Sequence, residues 1–416
     1  MKKNAFVLFF LLFIFICNEA YSHYPNQSYI FLRIYEDTGI EGRYEINTRE
    51  INKVFGLNLS DNATKVDLMP HIEKLKEYIL ANSNFKSEVG NLKVVFGDFD
   101  VFSISQGSMV QFSFDLEDNN LVPEELTIKY GAIFKADPTH KGFLIIEYNW
   151  LAGVINQETN IIDDFSTQKT IVTIRPNEKL SIWRGAVAMI KQGIWHIWIG
   201  LDHILFLVAL ILPSVVVRIR QENKNGTTQI KQKIFGWVPV QKFKPAFLYI
   251  VKIVTFFTIA HTITLSLAAL NIIVLPSNIV ETIIAFSIGL AALHNIIPIF
   301  KGKDWAIAFI FGLFHGFGFA SVLGDLGFRG ENLTVSLLGF NVGVEIGQML
   351  IIAGIFPILF FIRKSRRYPK FIVIASILLI ILSIDWVLLR GFNIDTGLDY
   401  FIRSIRFNIA RWLNLR

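Results

Sequence analysis

Histidine and carboxylate side chains recur inside stretches of this chain that are otherwise almost free of charge. HIWIGLDHILF carries His196, Asp202 and His203, and AHTITL carries His261. A third stretch holds Glu281 and His294, GLFHGFGFA holds His315, and GFNVGVEIGQ holds Asn341 and Glu345. Ionisable groups in an apolar span are costly and mark a functional site by default. Five of the eight histidines lie in this half of the chain, the reverse of what solvation would choose. Imidazole and carboxylate form a nitrogen and oxygen donor set suited to Ni²⁺, Co²⁺, Zn²⁺ or Cu²⁺, and affinity order alone does not choose among them. A proton relay is the other use of the same groups.

His196 and His203 are seven positions apart, two helical turns, and are expected on one helix face. Asp202 beside them would either ligate or orient an imidazole as an acceptor. At ~1.5 Å rise per residue, Asp202, His203, His261, His315 and Glu345 share one layer in the outer-to-middle part of the membrane. Glu281 lies higher, and His294 lies much nearer the cytoplasm, outside any compact site. A single buried histidine is usually a packing residue. Four spans each placing histidine or carboxylate at one depth argue instead for a metal site. Gly-x-x-x-Gly spacings at 312/316, 339/343 and 343/347 permit close helix approach, whether for packing alone or around an ion.

These residues need helices that cross a bilayer, at ~20 apolar residues each. Six stretches qualify, near 192–217, 245–271, 276–298, 304–325, 333–362 and 370–390. Basic residues gather in alternate connections: Arg218 to Lys244, Lys301 with Lys303, and Arg363 to Lys370. Those connections are expected in the cytoplasm. The chain has 416 residues, 52% hydrophobic and 18% charged, against about 25% charged in soluble domains. A single soluble domain, a disordered chain and an ordinary cytosolic enzyme are excluded. The net charge of +6 sits in the inter-span connections, so it does not signal nucleic-acid binding.

Ahead of the spans, residues 23–180 read as β-structure, with SYIFLRIY, LKVVFGDFDVFSI, MVQFSFDL, LTIKYGAIF, GFLIIEYNW and TIVTIRP as strands. One helix is expected around Met69–Ala81. An antiparallel, sandwich-like domain is the expectation, and it carries no catalytic motif. Residues 1–22 have the layout of a signal peptide: Lys2 and Lys3, an apolar run, then Ala20–Tyr21–Ser22. The β-domain would therefore lie outside the membrane, ahead of a transmembrane domain over 185–392. The tail 393–416 reads as an interfacial amphipathic helix. The only cysteine, Cys17, falls inside the leader, so thiolate ligands and disulfides are excluded from the mature chain.

The pattern GxDHxxF with His196, Asp202 and His203, followed by FGLFHGFGFA and a later small-residue span containing Glu345, resembles the HupE/UreJ family of hydrogenase and urease accessory membrane proteins. The long form with a secreted N-terminal domain matches best, over about residues 185–360. The resemblance implies a permease for nickel or cobalt, with its His–Asp–His signature on His196, Asp202 and His203 and its second histidine motif on His315. The short form has two histidines in that second motif (FHGxAHG). Here His315 is followed by Gly316–Phe317–Gly318–Phe319, without the second.

Three readings follow. The first is a divalent-cation permease in the cell membrane, with nickel ahead of cobalt and zinc and His294 as a lower station on an inward path. The second is an intramembrane zinc hydrolase, with histidines and a carboxylate around the ion and Glu345 as general base. The third is a sensor or assembly protein whose β-domain binds a periplasmic or extracellular partner. Cleavage after Ser22 would also expose His23, whose α-amino and imidazole nitrogens chelate one ion. With His71 or His140 nearby, that terminus would capture a cation before the membrane site.

Overall fold

The computed structural model describes residues 26–398 apart from 37, 105–106, 118–121, 157–159, 179, 219–220, 223–227, 230–235, 301–302 and 319–331. The expected signal peptide, His23 and most of the expected amphipathic tail lie outside the described residues. The chain forms two compact units that divide between Ala188 and Met189.

The first unit is mainly β. Its strands are β1 (Gln27–Tyr35), β2 (Gly39–Asn47), β3 (Ser83–Ser87), β4 (Gly90–Ile104) and β5 (Gly107–Glu117), then β6 (Leu126–Tyr130), β7 (Lys141–Asn149), β8 (Ile161–Phe165) and β9 (Ile171–Ile174). They form one sheet in the order β8-β7-β1-β2-β5-β4-β3-β6-β9. The outermost strands β8 and β9 are consecutive in the chain and joined through the Ser166–Lys169 bridge, so the sheet curls into a barrel-like form. Every pairing is antiparallel except β1 with β7, which is parallel and departs from the expected all-antiparallel pattern. Alternation along β1 sends Ile30, Leu32 and Ile34 into a core with Tyr44, Phe112, Phe114 and Tyr130. The segment LTIKYGAIF is strand only to Tyr130, because Ile133 turns the chain with φ of 75°.

Two helices cover this core. Helix α1 (Thr48–Phe55) was not expected from the sequence; the Asn47 side chain caps its first turn and Gly56 ends it in the left-handed conformation. Helix α2 (Ile72–Asn82) follows a single turn at Lys65–Leu68 and a 3-10 turn at Met69–His71. It buries Ile72, Leu75 and Ile79, the period expected around 69–81.

The second unit is helical. In chain order its helices are α3 (Ile182–Ile199, which begins in the first unit and crosses the division), α4 (Leu201–Ile211), α5 (Phe243–Ala269), α6 (Ser277–Ile296), α7 (Asp304–Gly318), α8 (Leu333–Ile362) and α9 (Tyr368–Phe392). Four of them, α5, α6, α8 and α9, are long and apolar enough to cross a bilayer. The pair α3 and α4, with the 3-10 turn that ends it, makes a fifth such span only if its 72° bend is counted within one crossing. Among the described residues, four or five such spans stand against the expected six. The straight first span at 192–217 is broken at Gly200. The fourth, expected over 304–325, is a 15-residue helix among the described residues.

Two contacts set the spacing of this bundle. A Cβ on Gly316 of α7 would collide with the His261 carbonyl and the Thr264 hydroxyl of α5. One on Gly343 of α8 would collide with the Ile190 carbonyl of α3. The small residues at 312/316 and 343/347 thus serve backbone-to-backbone packing of the helices that carry the histidines.

Candidate metal centre

Gly200 is the element on which the site depends. It caps the N-terminus of α4 while its own N–H bonds the His196 carbonyl at 3.0 Å, so one helix ends as the next begins. The bend folds α3 and α4 toward each other, and the His196 and His203 rings come within 4.6 Å, centroid to centroid. Each lies 6.4 Å from the ring of His261 on α5. One nitrogen from each of these three histidines falls within 4.8 Å of the others. Three nitrogens on one ion at about 2.1 Å stand ~3.4 Å apart in a tetrahedral set, so ring rotations that move each nitrogen by about an ångström close the set on a cation.

His315 on α7 stands at the edge of this trio, its ring 5.5 Å from that of His203. Its Nδ1 donates to the Phe311 carbonyl at 2.9 Å, which leaves the lone pair on Nε2. His261 is oriented similarly. Asn341 on α8 donates its amide to the Leu337 carbonyl at 2.7 Å and turns its Oδ1 toward His261 Nδ1 at 3.4 Å. That contact assigns the proton to Nδ1 and the lone pair to Nε2. The Nε2 atoms of His261 and His315 and both ring nitrogens of His203 are buried without a hydrogen-bond partner. Buried polar nitrogens are nearly always satisfied, and several unsatisfied ones converging from three helices fit the donor set of a cation site.

The other expected residues sit around this centre in different ways. Glu345, one turn below Asn341 on α8, accepts from Thr255 Oγ1 at 2.7 Å and keeps a buried, unpartnered Oε2. Asp202 is turned to Arg390 on α9, which donates to both carboxylate oxygens at 2.7 and 3.3 Å. Glu281 approaches the same guanidinium at 3.9 Å. His294 stands apart from the cluster, as its depth predicts. Its Nδ1 accepts from the Ile299 and Phe300 N–H groups at 3.1 and 3.2 Å, and its Nε2 faces Asp304 at 3.4 Å. That arrangement caps the C-terminus of α6 and uses both ring nitrogens.

In the β-unit, His140 is buried, with Nε2 2.8 Å from Ser28 Oγ and Nδ1 3.3 Å from Glu50. The alignment of serine, histidine and glutamate resembles a hydrolase triad, but Ser28, His140 and Glu50 are all buried. It is a buried tie between α1 and the sheet, and His140 is committed to it. His71 lies in the 3-10 turn before α2.

Residues 172–390, just over half of the chain, match the family described as HupE / UreJ protein. The chain belongs to this family. The match spans every helix that contributes to the imidazole cluster and ends at Arg390. Searches of curated proteins and of solved structures give no match.

Sequence reasoning missed two members of the site and the partner of a third. Gly200 gave a signal, a glycine interrupting an apolar helical run. Arg390 was visible as a charge at the end of the last span. Asn341 was noted in its span but not paired with His261.

Proposed function

We propose that this HupE/UreJ family member is a membrane permease for a divalent transition-metal cation, nickel ahead of cobalt, and that His196, His203 and His261 hold the ion in transit. The observation that carries this reading is the convergence of three imidazoles from α3, α4 and α5 among apolar side chains. Nitrogen donors without thiolate match late first-row divalent ions. His315 supplies a fourth imidazole at the rim of the trio, and Glu345 supplies charge one turn deeper. The basic connections support a topology with the Lys242 and Arg363 end of the bundle in the cytoplasm and the β-domain outside.

The second reading keeps the same cluster as a zinc hydrolase site. Three histidines with one open position is a known catalytic arrangement, and the buried free oxygen of Glu345 would be the base. Thr255 holding the other oxygen favours neither role. The test is metal movement against metal retention in proteoliposomes. A permease moves ions in large excess over protein, and His203→Ala abolishes the flux while the protein still inserts. One ion retained per protein with no flux would support the enzyme instead.

A further inference from the structure

Two cavities lie in line below His203. The nearer is small, about 10 Å³, bounded by His203, Phe257, Val254, Gln348 and Leu210. It has room for about one water-sized sphere. The farther is a cleft of about 1010 Å³ between the α4–α5 and α6–α7 connections, reached by Leu210, Ile253, Tyr249, Asp304 and Lys242. Leu210 lines both. It lies seven positions after His203 on α4, on the same face and ~10 Å further along the helix axis. Behind it, Ile253 and Val254 are consecutive residues of α5, one bordering each cavity and both at most 3% exposed.

We propose that Leu210 is the plug of an inner vestibule. The cleft is the water-filled compartment into which a cation leaves the imidazole centre, and a single apolar layer of Leu210 backed by Val254 separates them. Rotation of one leucine side chain joins the small cavity to the cleft without moving a helix. The cleft is lined mainly by apolar side chains, and its few polar groups suit release rather than retention. Both ring nitrogens of His294 are already used, and the Tyr249 hydroxyl donates to Asp304 at 2.5 Å. Lys242 at the rim adds positive charge that opposes lingering of a cation. Gln348 is the polar group on the centre's side of the plug, its Oε1 accepting from Thr258 at 2.8 Å.

This inference rests on the permease reading but is tested by access rather than by transport. Cys17→Ser removes the only cysteine of the chain. In that background, Val217→Cys, at a half-exposed position lining the cleft, reports the cleft and Gln348→Cys reports the small cavity. Membrane vesicles with the basic connections facing outward are treated with a charged, membrane-impermeant thiol reagent. Val217→Cys is expected to label. Gln348→Cys is expected to stay unlabelled with Leu210 or with Leu210→Met, and to label several-fold faster with Leu210→Ala. Unchanged labelling of Val217→Cys in the Leu210→Ala background shows that the fold survives. Failure of Val217→Cys to label, or equal labelling of Gln348→Cys whatever stands at 210, overturns the proposal. Nickel flux in the same vesicles is a separate readout: its loss with the labelling pattern intact removes the permease and leaves the plug.

Discussion

The rings of His196 and His203 lie 4.6 Å apart although their positions differ by seven. On a straight helix their Cα atoms would be ~10.5 Å apart, too far for both imidazoles to meet one ion without long side-chain detours. The 72° bend at Gly200 removes that distance.

Gly200 is therefore expected to be intolerant even of alanine. A Cβ there would stand 2.6 Å from His203 Nδ1 and 2.9 Å from the His196 carbonyl. Gly200→Ala should push His203 out of the trio and weaken metal affinity by ~10–100-fold, the usual cost of disturbing a ligand's support. Metal titration of the purified protein measures this, and wild-type affinity in Gly200→Ala would refute the role of the bend.

The sequence showed which residues were out of place in a membrane, but not how they meet. His196, His203, His261 and His315 stood out because imidazole in an apolar run is costly. Depth counting put the last three in one layer and set His294 aside. The geometry of the first pair was read from an unbroken helix, since glycine inside an apolar pattern is tolerated and does not announce a 72° bend. Asp202 was read toward its neighbours in sequence, whereas its partner Arg390 is 188 positions away. In the β-unit, the parallel pairing of β1 with β7 likewise depends on contacts that no local pattern encodes. Strand β2, with Gly39 and Gly42 and acidic residues, hides its alternation.

The Asp202–Arg390 pair ties the start of α4 to the end of α9, and both side chains are about four-fifths shielded. Arg390→Gln leaves a shielded carboxylate without its cation and should cost about 1–3 kcal/mol. Adding Asp202→Asn should recover part of that loss. Thermal unfolding in detergent of the two single variants and the double variant reads the coupling. Additive losses would mean that the pair contributes nothing as a pair.

The crossing of α3 and α8 depends on Gly343. A Cβ placed there meets the Ile190 carbonyl, which is backbone and cannot rotate away. Gly343→Ala should destabilise the helical unit by about 1–3 kcal/mol and shift Asn341 away from His261. Gly354→Ala on the same helix meets nothing within 4 Å and serves as the control. Equal melting midpoints for the two variants would contradict the packing account.

Acid should loosen the β-unit around α1. Lys53, donating to Asp137 at 2.7 Å, together with Thr139 holds that carboxyl at about 2. Burial works against the charge of Glu50, but His140 and Lys53 outweigh it and hold its carboxyl below the usual range. Both folded values lie below the unfolded ones of roughly 4. Their stabilisation is thus complete above about pH 5 and fades as pH falls through 4 toward 2. Hydrogen exchange of the full-length protein, corrected for intrinsic rates, should show residues 48–55 opening in that window. Lys53→Ala should shift the opening to higher pH, and the same profile with and without Lys53 would exclude this origin.

X-ray absorption at the nickel edge, on full-length protein loaded with one equivalent, tests the central claim most directly. The account predicts a shell of nitrogen and oxygen only, with the multiple scattering of three imidazoles, falling by one imidazole in His196→Ala, His203→Ala or His261→Ala. His294→Ala should leave the spectrum unchanged. A sulfur shell, no imidazole scattering, or a spectrum indifferent to His203 would contradict it.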